Sequence, residues 1–594
     1  MKNKLLLTTA IYPFPRLPQQ EAATDVMGQR FTRGNDLFTM VSHTHPGALH
    51  LLAQNLEVAS VVLEYPRWRH FCREVRRGYE VIGISAYPFH LDSVFRMCRQ
   101  IRATSPATRI LVGSYAAQGL RALGGLEKYG ALIDDLVDEE GVAYLRRLFG
   151  EDPHKPVSQR FFPKNGASLR YLEQYPRGNT VLLYSGLGCP GGCDFCSTSA
   201  LYKRQRIELL SPKDVVEHVQ HYLRREPGRI RQFYLIDEDY FRYPDYLLEM
   251  RRFMAQAPHV LAQADFVVFG SVDHIAAFAQ KHGWDAIAEA GIGVIFIGVE
   301  SQMAGGHGYS KRKRAEAREV FARLHHVGIR TIGAWIAGFP FQNRMSLRED
   351  LDYFISCCPT YQQLSIFSAF PGTPLYAARQ KEGAGPPCRF ADHHFWNPSS
   401  THPDFSNQEL LDITEHGYTL GYQTWGACLL RNLEVHLNGM AHCRQAPAAA
   451  LSQHALQLHT ENAHKLYTQL RAMAWFAPNP EVRRKTAALS QRCRDLLGAP
   501  SMMQEVRSRL SLALAMSYKL QRRVCKWPPK KEGFRRYLYR PGAMPPGQAP
   551  YVIDALGSFD LVFCLQRLMP WCCQWLLARF RSLRKNGGHP EMAP

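Results

Sequence analysis

Acid is scarce in this chain relative to base. Its 594 residues hold 52 Asp and Glu against 72 Lys and Arg, a formal net charge of +20. Such an excess points to an anionic partner: a membrane surface, nucleic acid or an acidic substrate. No run approaches the roughly 20 apolar residues that a bilayer-spanning helix needs. The start MKNKLLLTTAIYPFPR is basic and briefly apolar. No small-residue cleavage site follows, whereas Pro13 and Pro15 do, so it reads as a first strand and not a signal peptide. The 15 cysteines show no paired framework, so a reducing cytoplasm is expected. The length suggests three to four domains.

Three cysteines do stand close together. Cys189, Cys193 and Cys196 lie in GLGCPGGCDFCSTSALY with the spacing C-x3-C-x2-C. Three thiolates on one short loop can hold three irons of a [4Fe–4S] cluster, which four cysteines normally hold, so one iron stays open for a substrate or cofactor. Zinc is the competing occupant. A structural zinc site needs a fourth ligand and usually pairs two C-x2-C elements, and the chain has no second such pair.

The loop resembles that of the radical S-adenosylmethionine (radical SAM) superfamily. The resemblance implies that the open iron chelates the amino and carboxylate groups of SAM. It implies a flavodoxin- or ferredoxin-like electron donor, whose electron splits SAM into methionine and a 5′-deoxyadenosyl radical. Phe195 matches the aromatic position that packs near the adenine. Gly186, Gly188, Gly191 and Gly192 let the backbone wrap closely around a cluster.

An α/β chain is expected, in four parts. Residues 1–150 alternate β-branched runs (KLLLTTAIY, VASVVLEY, YEVIGISAY, TRILVGSY) with helical stretches, which predicts a doubly wound, Rossmann-like parallel sheet. Ligands of such sheets bind at the carboxyl ends of strands, where Gly83, Ser85, Gly113 and Ser114 stand. The pattern VIGISAY…RILVGSYAA resembles the cobalamin-binding domain that precedes many radical SAM barrels. That family's Asp-x-His-x-x-Gly signature is missing from residues 1–150; family members without it bind cobalamin with no protein histidine on cobalt. Residues 151–177 read as a polar linker.

Residues 178–385 carry six strand runs separated by helical stretches, the pattern of a partial (β/α)6 barrel, whose active site lies at the C-terminal strand ends. The resemblance extends along them in order. Glu238 and Asp239, followed by Phe241, match an acidic element near the SAM amino group. Gly298, Glu300 and Ser301 match a G-x-E-S element near the SAM ribose or methionine. Gly338 and Pro340, then Pro371, Gly372, Thr373 and Pro374, match turns after strands five and six. Each also has a local reading, as a helix cap or a turn.

Residues 386–594 are expected to form a mainly helical domain. His393, His394, Trp396, His402 and Trp425 either line the barrel mouth or pack helices. Nine Lys and Arg stand against Glu532 alone between Lys519 and Arg540. The end FDLVFCLQRLMPWCCQWLLARFRSLRK mixes tryptophan and leucine with arginine. It either lies on the inner face of an anionic membrane or docks on the protein.

The expected function is therefore reductive SAM cleavage at a [4Fe–4S] cluster, with cobalamin-dependent C-methylation of a hydrophobic, lipid-like substrate. Non-methylating radical cyclisation, coupling or rearrangement is the alternative. RNA modification is a third reading, disfavoured because no RNA-binding module accompanies the basic stretch.

Overall fold

The computed structural model describes residues 3–11, 37–43, 45–159, 165–169, 178–228, 231–307, 315–382, 389–445, 450–524, 535–540 and 551–556. Its strands are β1 (Asn3–Thr9), β2 (Met40–His43), β3 (Ser60–Glu64), β4 (Tyr79–Ser85), β5 (Arg109–Gly113), β6 (Asp135–Val137), β7 (Asn165–Leu169), β8 (Gly178–Tyr184) and β9 (Gly186–Leu187). They continue as β10 (Ile207–Glu208), β11 (Gln232–Ile236), β12 (Asp265–Ser271), β13 (Ile292–Glu300), β14 (Arg330–Ala337), β15 (Tyr361–Ile366), β16 (Arg535–Tyr539) and β17 (Tyr551–Leu556).

Five parallel strands, ordered β3-β1-β4-β5-β6, form the expected Rossmann-like sheet. The chain first steps from β1 to β3 and then reverses to β4, which makes the β1/β4 edge a topological switch point where such folds leave a ligand crevice. Apolar residues on both sides bury it: Leu6, Ile82, Ile84 and Val112 on one face, Leu5, Leu7, Val62 and Leu111 on the other.

The six expected barrel strands also form, parallel and in sequence order from β8 to β15. Their residues alternate with the two-residue period of a strand. In β13, Ile295, Ile297 and Val299 enter the core under the outer helices. Val294, Phe296, Gly298 and Glu300 face the barrel interior. The same alternation sends Phe233, Leu235, Phe266 and Val268 outward and Tyr234, Ile236, Val267 and Phe269 inward.

Four strands cross the boundaries expected from sequence. β7 falls inside the stretch read as a linker, and β2 inside the N-terminal part. They pair antiparallel with each other, and β7 pairs with β8, which extends the barrel sheet. β16 and β17 fall inside the part read as helical, and β16 pairs antiparallel with β3. The physical reason is the same in each case: an open sheet edge exposes unpaired backbone groups that a strand from elsewhere satisfies. The basic stretch is thereby partly structural. Arg536 is 6% exposed and its Nε and Nη2 donate to Glu74 at 2.9–3.0 Å.

Between Asn407 and Val524 the chain is helical. The helices Cys428–Gln445 and Ala450–Tyr467 lie across the N-terminal ends of the barrel strands, where Asn432 Nδ2 donates to the Tyr361 hydroxyl at 2.8 Å. Among the described residues no helix is long and apolar enough to cross a membrane. The amphipathic segment at 559–585 lies outside the described residues.

Candidate functional site

The three cysteines occupy a loop closed at its base by the β9–β10 ribbon, in which Leu187 pairs with Ile207 and Gly186 with Glu208. Cys196 immediately precedes the short helix Ser197–Leu201. The loop is tied internally: Ser199 Oγ donates to the Cys189 carbonyl at 3.0 Å and accepts from the Gly192 N–H at 3.1 Å. Gly188 has φ +80°, and a Cβ there would lie 2.2 Å from the Gln205 carbonyl oxygen. Only glycine fits that position.

Cys189, Cys193 and Cys196 all line one cavity of about 1230 Å³, and all three are half-buried. Burial pushes the Cys189 thiol pKa up, and the Arg242 guanidinium beside it pulls the other way. Among the described residues no three Cys, His, Asp or Glu side chains converge as ligands of a single ion would. A cubane cluster carries its irons at separate corners and asks no such convergence of its thiolates.

The strand ends supply the rest of this wall. Phe195 lines the cavity and meets Phe339 and Phe367 edge-on, with centroids 6.2 and 6.4 Å away. Glu238 lines it just beyond β11. Asp239 follows at 7% exposure. It accepts from Ser271 Oγ at 3.0 Å, and its carboxylate lies 2.6 Å from His274 Nδ1. Beneath them Arg206 Nη2 meets Asp237 at 2.7 Å; burial still leaves the Asp237 pKa raised. Gly298 and Glu300 line the cavity at the end of β13. The register with β14 slips between them, and the Glu300 backbone takes φ +55°. Such left-handed strain in a bulged non-glycine residue aims a side chain at cost, a frequent property of functional sites.

Ser301 is placed differently. It is 1% exposed and its Oγ accepts from the Met303 N–H at 3.2 Å, supporting the turn after β13 and not the cavity wall. Gly83, Ser85, Gly113 and Ser114 also stay off the wall. They stand at the strand ends, and the side chains that reach the cavity come later in each loop: Tyr87, Pro88 and Phe89 after β4, Tyr115 and Gln118 after β5. The rings of Tyr87 and Tyr115 stack at 5.5 Å, and those of Tyr87 and Phe89 at 5.4 Å. The two sheets meet here. The Tyr115 hydroxyl is 2.9 Å from Thr198 Oγ1 on the cysteine-loop helix, and Gln118 Nε2 donates to the Gly372 carbonyl at 3.1 Å. Thr373 caps the helix Pro374–Lys381, and the Leu375 N–H donates to the Asp194 carbonyl at 3.1 Å. The P-G-T-P segment thus packs on the cysteine loop.

Of His393, His394, Trp396, His402 and Trp425, His394 and Trp396 line the cavity, and His436 joins them farther along the chain. His402 bonds the Phe339 carbonyl, and Trp425 belongs to the core. Sequence reasoning missed Arg242, His274, Tyr87 and Tyr115. The two tyrosines carried a signal, since each follows its strand by two residues.

The family model for the radical SAM superfamily matches residues 183–354. A bacteriochlorophyllide d C-12(1)-methyltransferase of Chlorobaculum tepidum is 21% identical over 310 residues, 50% of this chain and 65% of the relative. An uncharacterized methyltransferase of Pyrococcus horikoshii is 24% identical over 237 residues, 38% of this chain and 48% of the relative. The chain thus spans less than two thirds of either relative. Among solved structures, the radical SAM methyltransferase TsrM of Kitasatospora setae aligns with TM-score 0.45 and 17% identity, over 65% of this chain and 79% of its own. The cobalamin-dependent enzyme OxsB aligns with TM-score 0.45 and 14% identity, over 88% and 80%. The cysteine loop and the barrel strands β11 to β14 fall inside the matched segment: residues 183–354 match the radical SAM superfamily.

Proposed function

We propose that the protein is a cobalamin-dependent radical SAM methyltransferase. One observation carries the reading: the cysteine loop, the C-terminal ends of β11–β13 and the loops after β4 and β5 line a single cavity. The donor set fits a cluster, with three thiols on a glycine-rich loop and room beside them for a further ligand. Cys189, Cys193 and Cys196 hold it, and when bound it supplies the electron that cleaves SAM reductively. Glu238 and Glu300 face the same space and would accept hydrogen bonds from the amino and hydroxyl groups of SAM. Phe195, packed on Phe339 and Phe367, offers an apolar ring to the adenine. Asp239 is a positioning residue: it fixes Ser271 and His274 at the end of β12.

The Rossmann-like part fits cobalamin by its rings. Tyr87, Phe89 and Tyr115 present an apolar, stacked wall suited to a flat macrocycle. Among the described residues this part lines the cavity with Tyr87, Pro88, Phe89, Tyr115 and Gln118, without histidine or cysteine. Bound there, cobalamin supplies a transferable methyl group next to the site of radical generation. The surrounding aromatic residues, His394 and Trp396 included, exclude water from reactive carbon.

The test feeds methyl-deuterated SAM to reconstituted enzyme with extract of cells in which the gene is disrupted. A product carrying the deuterated methyl, formed alongside 5′-deoxyadenosine, is expected. A product without label, formed at the same cost in SAM, replaces methylation with non-methylating radical chemistry.

A further inference from the structure

The cavity does not stop at the cluster end. It runs the length of the barrel to the opposite, N-terminal strand ends, where Arg231 just before β11, Gln232 of β11, Asp265 of β12, Arg330 of β14 and Tyr361 of β15 also line it. From Arg231 to Glu238, or Asp265 to Ser271, this is roughly 20 Å of extended chain. Barrels usually fill this interior with packed side chains. Here the inward faces of Val267, Val294 and Ile332, with Tyr234 and Phe296, form an apolar belt around open space.

Charge is segregated along this bore. The cluster end carries Glu238, Asp239, Asp273 and Glu300 against Arg242 alone. The far end carries Arg231, Arg330 and Lys465 against Asp265. Arg330 is 7% exposed and spends its charge on Asp265 and its Nε on the Gly293 carbonyl at 3.1 Å. Arg231 and Lys465 are more open and share a single carboxylate, Glu461, at 3.2 and 4.0 Å. Three cations against two carboxylates leave one positive charge in excess.

We propose that the substrate is an elongated, mainly apolar molecule with an anionic group at one end, held between Arg231 and Lys465 while its other end lies at the cluster. The inference rests on the cavity being the reaction chamber. An apolar belt favours a hydrocarbon body. An Arg–Lys pair with surplus charge at the cavity's far end favours a carboxylate or phosphate head and orients it away from the acidic cluster end. The charge gradient therefore sets which end of the substrate reaches the radical.

The test uses cluster-reconstituted protein and the fluorescent probe 11-(dansylamino)undecanoic acid, displaced by dodecanoate, dodecyl phosphate or dodecanol. Both anions should displace the probe far better than dodecanol, and the better of the two identifies the head group. Arg231→Gln with Lys465→Gln should weaken the anions by at least about tenfold and leave dodecanol unchanged. Glu461→Gln should tighten the anions several-fold, an outcome that misfolding does not produce. Equal displacement by dodecanol, or anion binding indifferent to these substitutions, overturns the proposal. SAM cleavage measured separately as 5′-deoxyadenosine keeps the two readings apart. Cleavage without anion selectivity removes only the substrate assignment, and anion selectivity without cleavage removes only the radical chemistry.

Discussion

In the proposed site, Glu300 and the three cysteines are the residues to test singly, and each can be separated from the fold. The cysteines are half-buried on a loop, so replacing any one by alanine should abolish cluster absorption near 400 nm and 5′-deoxyadenosine formation, with little change in melting temperature. Glu300 holds φ +55°, a conformation that costs a residue with a Cβ about 1–2 kcal/mol. Glu300→Gly and Glu300→Ala both delete the carboxylate. The glycine variant should be more stable than the alanine variant by about 1 kcal/mol, and both should lose SAM affinity. Equal stabilities in chemical denaturation would remove the strain from the account. That the three cysteines share one cavity was legible because their spacing keeps them on one short loop. Arg231 and Lys465 were not, because 234 positions of sequence separate two residues that only the tertiary fold brings to one carboxylate.

Elements were legible where the side-chain period is long enough to speak. β13 and β14, with nine and eight residues, declare themselves as β-branched runs, and their two faces follow from alternation. β2 and β16, with four and five residues, exist because a neighbouring edge needs them, which no local pattern announces. β16 is held by more than its ladder. Arg536 donates two bonds to Glu74, and both side chains are buried, 6% and 3% exposed. Arg536→Ala leaves the buried Glu74 carboxylate with only the Tyr79 hydroxyl and the half-exposed Arg77 as partners and should destabilise the protein by about 2 kcal/mol. Adding Glu74→Gln should restore most of that. A single variant as stable as wild type in urea titration would show that the carboxylate finds water there.

The whole molecule depends on pH through histidines buried in the neutral form. Burial holds His90 and His459 down to about 3, and both are buried, at 3% and 9% exposure. His90 sits under the aromatic wall and His459 beside His436 at the barrel's far end, 3.0 Å between their Nδ1 atoms. In the unfolded chain each binds a proton below about 6.5, whereas the folded chain refuses it. Their stability contribution is therefore complete above pH 6.5 and falls as pH drops from there toward 3, by roughly 1.4 kcal/mol per group per pH unit. The melting temperature should fall clearly between pH 7.5 and 5.5; a flat profile would mean that these imidazoles reach solvent.

The three-part cavity makes one demand that a spectrum and metal analysis meet most directly. Protein made with cobalamin supplied, purified without oxygen and reconstituted with iron and sulfide should hold about four irons and stoichiometric cobalt. Cys193→Ala should lose the iron and keep the cobalt. A full cluster with no cobalamin, under conditions where cobalamin is in excess, would contradict the assignment of Tyr87, Phe89 and Tyr115 as the cobalamin wall and with it the methyl transfer.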